Sequence, residues 1–327
     1  MVWCIHMLFT SLIRYAEKLA LGIALEVSAF PKPGNVHRLR DFDDTIYEDF
    51  IATAIESVYP LYRGIRRGYR YGRSLDRLRI VYGDVILDMV KTSKTISGGG
   101  NTCLGTALLL SPLSIALGRS LMLHGEIKID NVLIDACACF KIYSTVLDAI
   151  YFYRAIRIAR PSYIKKSDVT GEFPSVWSKR YRQELIEKNL RLWSIIEYSS
   201  SYDIVAREIV ECYPRAYTLS NYIFARLKNH GVWNRAVVET YLYQLSRELD
   251  TLIVRKNGYE VAQRVKEEAK EILKLCEESW TNCLEKLKVF DDELASARVN
   301  PGSTADIVAV AISIYSLYKN QSLFRVT

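Results

Sequence analysis

The sequence predicts an all-α protein, a compact single-domain multi-helix bundle spanning residues 1–327. Two observations carry this expectation. Apolar residues recur at helical spacing over long stretches, and breakers are sparse, with eight prolines and sixteen glycines in 327 residues. Half the residues are apolar and a quarter are charged, as in an ordinary soluble globular chain. A chain of this length can bury a large core, and no internal repeat, low-complexity linker or domain boundary interrupts it.

The elements follow in order. Residues 1–10 are apolar but lack the basic leader and small-residue cleavage site of a secretory signal. Leu12, Ala16, Leu19, Ile23 and Val27 recur at helical spacing and predict a first helix over 11–27. Two prolines and Gly34 make residues 30–37 an ordered loop. Thr45 with Glu48 fits a capping box for the next helix, with Phe50, Ala54, Ser57 or Val58, and Leu61 facing inward. Residues 84–94 read as a short helix leading into Gly98-Gly99-Gly100. The apolar segment that follows is expected to kink at Pro112 and end at Gly118, too short and broken to span a bilayer. Residues 127–138 fit either a helix or a short strand, and 145–160 a helix ending before Pro161.

A polar loop over 163–177 carries Lys165, Lys166, Gly171 and Pro174. Residues 181–197 and 202–226 are each expected as one helix. So is 236–255, which stops at Lys256-Asn257-Gly258. Val261 to Trp280 marks a further amphipathic helix, and a last one runs to about residue 319.

The formal net charge is +7, and part of it is Arg63, Arg66, Arg67, Arg70, Arg73, Arg77 and Arg79 interleaved with Tyr62, Tyr69 and Tyr71. A solvated face ranks first for this stretch, an anionic small molecule second and nucleic acid third. Seven cysteines form no framework, and Cys137-x-Cys139 has no second pair to complete a zinc site. This points to reduced, buried thiols and a cytoplasmic setting, with a disulfide open for a hyperthermophile chain.

Candidate site residues concentrate in three places. The loop after the first helix holds Lys32, Asn35, His37, Arg38 and Arg40 beside Asp41, Asp43 and Asp44. Gly98-Gly99-Gly100-Asn101-Thr102 opens a helix, where free N–H groups suit phosphate. Taken alone that stretch favours a plain interhelical turn, and it matches neither GxxxxGK[ST] nor GxGxxG. Asp306 closes Asn300-Pro-Gly302-Ser303-Thr-Ala-Asp306, a capping box by itself. Asp250 lies near the polar edge of an amphipathic helix, and Arg255 and Lys256 suit that helix's C-terminus. His37 reads either as an acid or base near neutral pH or as a structural loop residue. His6, His124 and His230 have no motif around them.

Three segments in this order resemble the triphosphoribosyl-dephospho-CoA synthase family: Lys32-Pro33-Gly34-Asn35-Val36, Gly99-Gly100-Asn101-Thr102 and Asn300 to Asp306. The resemblance spans roughly residues 16–318. It implies an all-helical fold and an enzyme moving the triphosphoribosyl group of ATP to the ribose 2′-hydroxyl of 3′-dephospho-CoA, releasing adenine. The family's product is a prosthetic-group precursor for acyl-carrier subunits of citrate or malonate lyase-type enzymes. The chain departs from the family pattern twice. His37 to Thr45 is shorter than the family's stretch ending in His-x-Asp-Met-Asp, and Cys103-Leu104 stands where the family often has His-Lys.

That chemistry has an oxocarbenium-like transition state and sets three tasks. A triphosphate must be held with Mg²⁺, an acceptor hydroxyl needs a base, and adenine needs a proton or donor. The expected catalytic set is Glu26, His37, Asp44 and Asp250. Nucleotide contacts are expected from Lys32, Asn35, Arg38, Arg40, Gly98, Gly99, Gly100, Asn101, Thr102, Arg255, Asn300 and Gly302. Asp44 and Asp306 are the expected Mg²⁺ ligands. The partners are thus ATP and a nucleotide acceptor such as dephospho-CoA, with no membrane, nucleic acid ranked low and an oligomer left open. Two rival readings stand beside this one. One is ribosyl or phosphoribosyl transfer to another cofactor precursor. The other is a non-catalytic helical binder of nucleotide or nucleic acid, which the arginine stretch favours. Carboxylates beside Lys32 and His37 favour an enzyme, because a pure phosphate binder gains nothing from negative charge without a metal.

Overall fold

A computed structural model describes residues 2–165, 172–318 and 323–324, with 2–11 given by backbone alone. The helices are α1 (Val2–Ser28), α2 (Tyr47–Tyr71), α3 (Gly83–Ser97), α4 (Leu104–His124), α5 (Ile129–Tyr143), α6 (Val146–Ala159), α7 (Tyr181–Glu187), α8 (Leu192–Ser199) and α9 (Ile204–Val210). Then come α10 (Pro214–His230), α11 (Trp233–Arg247), α12 (Thr251–Asn257), α13 (Tyr259–Glu278), α14 (Trp280–Ser296) and α15 (Gly302–Tyr318), with a 3₁₀ turn at Leu75–Arg77. The described residues form no β-strand, so the all-α expectation holds. One contiguous apolar core runs from Leu12 in α1 to Tyr315 in α15.

Two helices that are apolar nearly all round, α4 and α15, lie inside the bundle. α4 packs on α2, α3, α5 and α15, and α15 on α1, α10 and α11. α13 lies between α11 and α14. Of the stretch 127–138, residues 129–138 belong to α5, so it is helix and not strand.

Several boundaries differ from expectation, each for a local reason. α4 neither breaks at Pro112 nor ends at Gly118. Gly118 is there for close packing: a Cβ on it would sit 1.8 Å from the Ile65 carbonyl oxygen, and one on Gly68 would sit 1.9 Å from that of Ile115. The two helices thus meet backbone to backbone, and this packing outweighs the cost of one interior proline. α4 is long and apolar enough to cross a bilayer, contrary to expectation, but 78% of its most apolar window is buried in the bundle. α2 begins one residue late, because Asp49 rather than Glu48 takes the free N–H, accepting from Ile46 N at 3.0 Å.

Three expected helices are each two. Asn189, at φ 49°, separates α7 from α8. Cys212 and Tyr213, both at φ 64°, separate α9 from α10, which opens on Pro214. Asp250 caps α12, accepting from Leu252 N at 2.9 Å and Ile253 N at 3.1 Å. Gly258 ends α12 as expected, and Ser279 caps α14 by accepting from Asn282 N.

Arg63 pairs with Asp84 and Asp88, and Arg67 with Asp84, while Arg66, Arg70, Arg73, Arg77 and Arg79 are exposed. This is the solvated, ion-paired face. The expectation of reduced thiols is corrected at four positions. Cys137 is bonded to Cys212 and Cys276 to Cys283, with Cα atoms 5.0 and 4.8 Å apart, while Cys103 and Cys139 are free and buried. The first pair is 75 residues apart in sequence, which hides it from any spacing rule. Lys166 and Gly171 lie outside the described residues.

Candidate active site

A cavity of about 550 Å³ opens where the three motif segments meet α6, α8, α9 and residues 163–164 and 173–176. Its polar lining includes Glu26, Asn35, Asn101, Thr102, Thr106, Asn300, Gly302 and Asp306. Its wall also carries the aromatic rings of Phe152, Tyr163, Phe173, Tyr198 and Tyr202, together with Arg255 and Asp203.

Glu26, on the last turn of α1, is 4% exposed and forms an ion pair with Lys32, which is fully buried. Burial pushes the Glu26 carboxyl up and the Lys32 ammonium down, and each opposes the other's shift. Lys32 Nζ also donates to the Glu26 carbonyl at 3.3 Å and faces the Tyr241 ring at 5.9 Å. Lys32 therefore sits behind Glu26 rather than in the cavity.

Asp306 projects from the first turns of α15 to the start of α4 and accepts from the Thr106 hydroxyl. Gly105 allows this approach: a Cβ there would lie 2.1 Å from Asp306 Oδ2. Asp306 thus does not cap its own helix. Burial pushes its carboxyl up to about 7, against the Thr106 hydrogen bonds, and the negative charges of Glu26 and Asp203 add to the rise. Asn101 caps α4, its Oδ1 accepting from Leu104 N at 3.0 Å. Thr102 is committed inward, to Ser93 at 2.6 Å and Thr53 at 2.8 Å. Asn35 Nδ2 donates to Asn300 Oδ1 at 3.2 Å, tying the first motif to the third. Cys103, where the family often has histidine, is a buried thiol pushed up to about 12 by burial and hence protonated.

Other expected site residues lie elsewhere. His37 Nε2 bonds Asp291 Oδ2 at 3.1 Å and its Nδ1 accepts from Leu39 N at 3.2 Å, so both ring nitrogens are occupied away from the cavity. Arg40 also bonds Asp291, at 2.6 Å, and Arg38 donates to the Ser28 carbonyl. Asp291 further accepts from Gly34 N at 3.0 Å, so this one buried carboxylate holds the whole loop. Asp250 caps α12 and accepts from Thr304 N at 2.7 Å, beneath the cavity floor. Its carboxyl is pushed up to about 6 by burial.

Asp44 is exposed and its carbonyl accepts from Gly100 N; it does not line the cavity. Gly98, Gly99 and Gly100 do not line it either. Their close approach is to protein: a Cβ on Gly99 would sit 2.6 Å from Asp49 Oδ2, and one on Gly100 2.9 Å from Asp44 Oδ2. Gly99→Ala should therefore disturb the Asp49 cap and lower stability by about 1–3 kcal/mol. ATP affinity in the folded fraction should stay within twofold. A calorimetric titration showing ATP binding lost while the thermal midpoint holds would return the glycines to the ligand.

Sequence reasoning passed over Thr106, Gly105, Asp203 and the aromatic wall. Asp203 had a readable signal, since it precedes an apolar run and caps α9 through Val205 N at 2.8 Å. The aromatics had none. They come from four separate segments, and only folding brings them together.

A large cavity that gathers carboxylates, amides and an arginine defines an enzyme that handles a polar small molecule. By sequence, the family model for ATP:dephospho-CoA triphosphoribosyl transferase matches residues 13–324, and the chain belongs to that family of transferases. No curated protein matches the chain significantly. Among solved structures, a provisionally assigned triphosphoribosyl-dephospho-CoA synthase from Archaeoglobus fulgidus shares the fold. It has a TM-score of 0.59 and 20% identity, over 82% of this chain and 97% of that one.

Proposed function

We propose that this cavity binds ATP with Mg²⁺ and a dephospho-CoA acceptor, and transfers the triphosphoribosyl group to the acceptor's 2′-hydroxyl in the cytoplasm, where ATP is supplied. The observation that carries the reading is the convergence of Glu26 and Asp306 on one cavity, Glu26 buried, Asp306 half-buried and feeling the Glu26 charge. A carboxyl held up to about 7 beside a second carboxylate fits a cation brought in by a triphosphate, which would displace its proton. Mg²⁺ takes few protein ligands beside substrate phosphates, so it would be shared between protein and triphosphate. Asp306 would hold the Mg²⁺, which when bound neutralises the triphosphate oxygens.

Glu26 is the base in this reading. The acceptor oxygen attacks C1′ and its proton passes to Glu26, while the C1′–N bond breaks with its electron pair leaving on adenine, which takes up one proton in turn and departs neutral. Lys32 fixes the Glu26 carboxylate in place from behind. The Glu26 charge also faces the developing oxocarbenium. The amides of Asn35, Asn101 and Asn300 line the same cavity and orient ribose and phosphate oxygens. The apolar wall of Ile23, Leu108 and Phe152 keeps water from intercepting C1′. Incubation with ATP, Mg²⁺ and dephospho-CoA should release adenine and give a product heavier by the triphosphoribosyl group. Adenine release that ignores the acceptor would redirect the reading to another acceptor, and no release would end it.

A further inference from the structure

Two aromatic rings of the cavity lining flank a cation. Arg255, on α12, lies over the Tyr202 ring at 5.2 Å and the Tyr163 ring at 5.5 Å. One of its terminal nitrogens donates to Asp203 Oδ2 at 2.7 Å, and no described hydrogen bond uses the others. Tyr202 stands edge-on to Tyr198, which packs on Phe173, with centroids 5.8 and 4.8 Å apart. Tyr198 and Tyr202 are 41% and 47% exposed at the cavity mouth. Asp203 is fixed by its role as the α9 cap. A guanidinium held by one carboxylate and two rings in the wall of a cavity is preorganised for a phosphate.

We infer that Arg255, flanked by Tyr163 and Tyr202, reads the 5′-diphosphate of the acceptor and so sets acceptor specificity. This rests on the proposed reaction, which already assigns Glu26 and Asp306 to the triphosphate donor. A triphosphate with its cation belongs beside Glu26 and Asp306. A diphosphate without one belongs beside the arginine. The exposed tyrosines at the mouth then line the exit path of whatever chain the diphosphate carries.

The test separates the two substrates. Dephospho-CoA binding is titrated calorimetrically without ATP or Mg²⁺, and Mg²⁺–ATP binding is titrated separately, on wild type, Arg255→Gln, Arg255→Lys and Tyr202→Ala. Thermal midpoints confirm that each variant is folded. Arg255→Gln should weaken dephospho-CoA binding at least about tenfold, the loss of a charge-assisted contact. Mg²⁺–ATP binding should stay within twofold. Tyr202→Ala should shift acceptor binding in the same direction by less, and Arg255→Lys should recover part of it. In turnover, the acceptor KM should rise with kcat little changed. Weaker ATP binding in Arg255→Gln, equal losses for both ligands, no loss for either, or a wild type that does not bind dephospho-CoA would each overturn the assignment. The binding arm stands apart from the reaction. Wild type that binds dephospho-CoA through Arg255 but releases no adenine would uphold this site and end the transferase mechanism above.

Discussion

Replacing Glu26 with alanine is expected to abolish adenine release and to lower stability by about 3–5 kcal/mol, the usual cost of stranding one member of a buried ion pair. The cost is large because Lys32 has no exposure and Glu26 is its ion-pair partner. Removing that carboxylate leaves an ammonium among Tyr241 and backbone groups, where it must either lose its proton or draw in water. The double variant Glu26→Gln/Lys32→Met separates structure from chemistry. Replacing both charges by neutral groups of similar size should restore most of the lost stability, because neither is then stranded. Activity should stay absent, since the base is gone. Urea denaturation and adenine release on both variants decide it. A double variant as unstable as the single one would show that the pair's packing matters more than its charge. A double variant that regains turnover would remove Glu26 from the base role.

Asp306→Asn is expected to do the opposite to stability. Folding moves the Asp306 carboxyl from an ordinary value of 3.8 to about 7, so the fold favours its protonated form. Below pH 4 the group is protonated folded and unfolded, and its contribution is fully present. As pH rises from about 4 to about 7 the unfolded chain has lost that proton and the folded one has not, so stability falls. Above about 7 the loss levels off, at a few kcal/mol by the order of about 1.4 kcal/mol per pH unit. Asparagine imitates the neutral form at every pH. The variant should melt higher than wild type at pH 8 and indistinguishably below pH 4. Asp250 and Glu208, pushed up to about 6 and about 7 by burial, keep some of the same slope in the variant.

Function should move the other way. Mg²⁺–ATP affinity in wild type should climb about tenfold per pH unit below 7, as the cation displaces one proton, and flatten above it. Asp306→Asn should lose that pH dependence and at least about a hundredfold in turnover. Unchanged Mg²⁺–ATP affinity in a folded Asp306→Asn protein would take Asp306 out of the metal role.

Local physics made much of this legible in advance. The 3.6-residue apolar period and the shortage of breakers carried the helical class. Composition alone marked the arginine stretch as a mostly solvated face, and pairing with Asp84 and Asp88 agrees. The three motif segments do converge, and Glu26, Asn35, Asn101, Thr102, Arg255, Asn300, Gly302 and Asp306 all reach the cavity. Where long helices were expected at 181–197, 202–226 and 236–255, single residues broke them: a left-handed Asn189, a left-handed Cys212-Tyr213 pair, and an Asp250 cap. These choices depend on what each neighbour offers in three dimensions, so a period of apolar residues cannot register them.

What the sequence by itself determined was the inventory: which loops carry polar groups, which helices are apolar on every face, and which family the three motifs resemble. Only the tertiary structure decided direction. It turned Lys32 behind Glu26 instead of toward a ligand, gave His37 and Arg40 to Asp291, and set the glycine loop against Asp44 and Asp49. It also sent Asp306 across to Thr106, away from its own helix end. The physical reason is common to all four. A charged or polar group removed from water must find a partner, and the partner that is nearest in space can be hundreds of residues away along the chain.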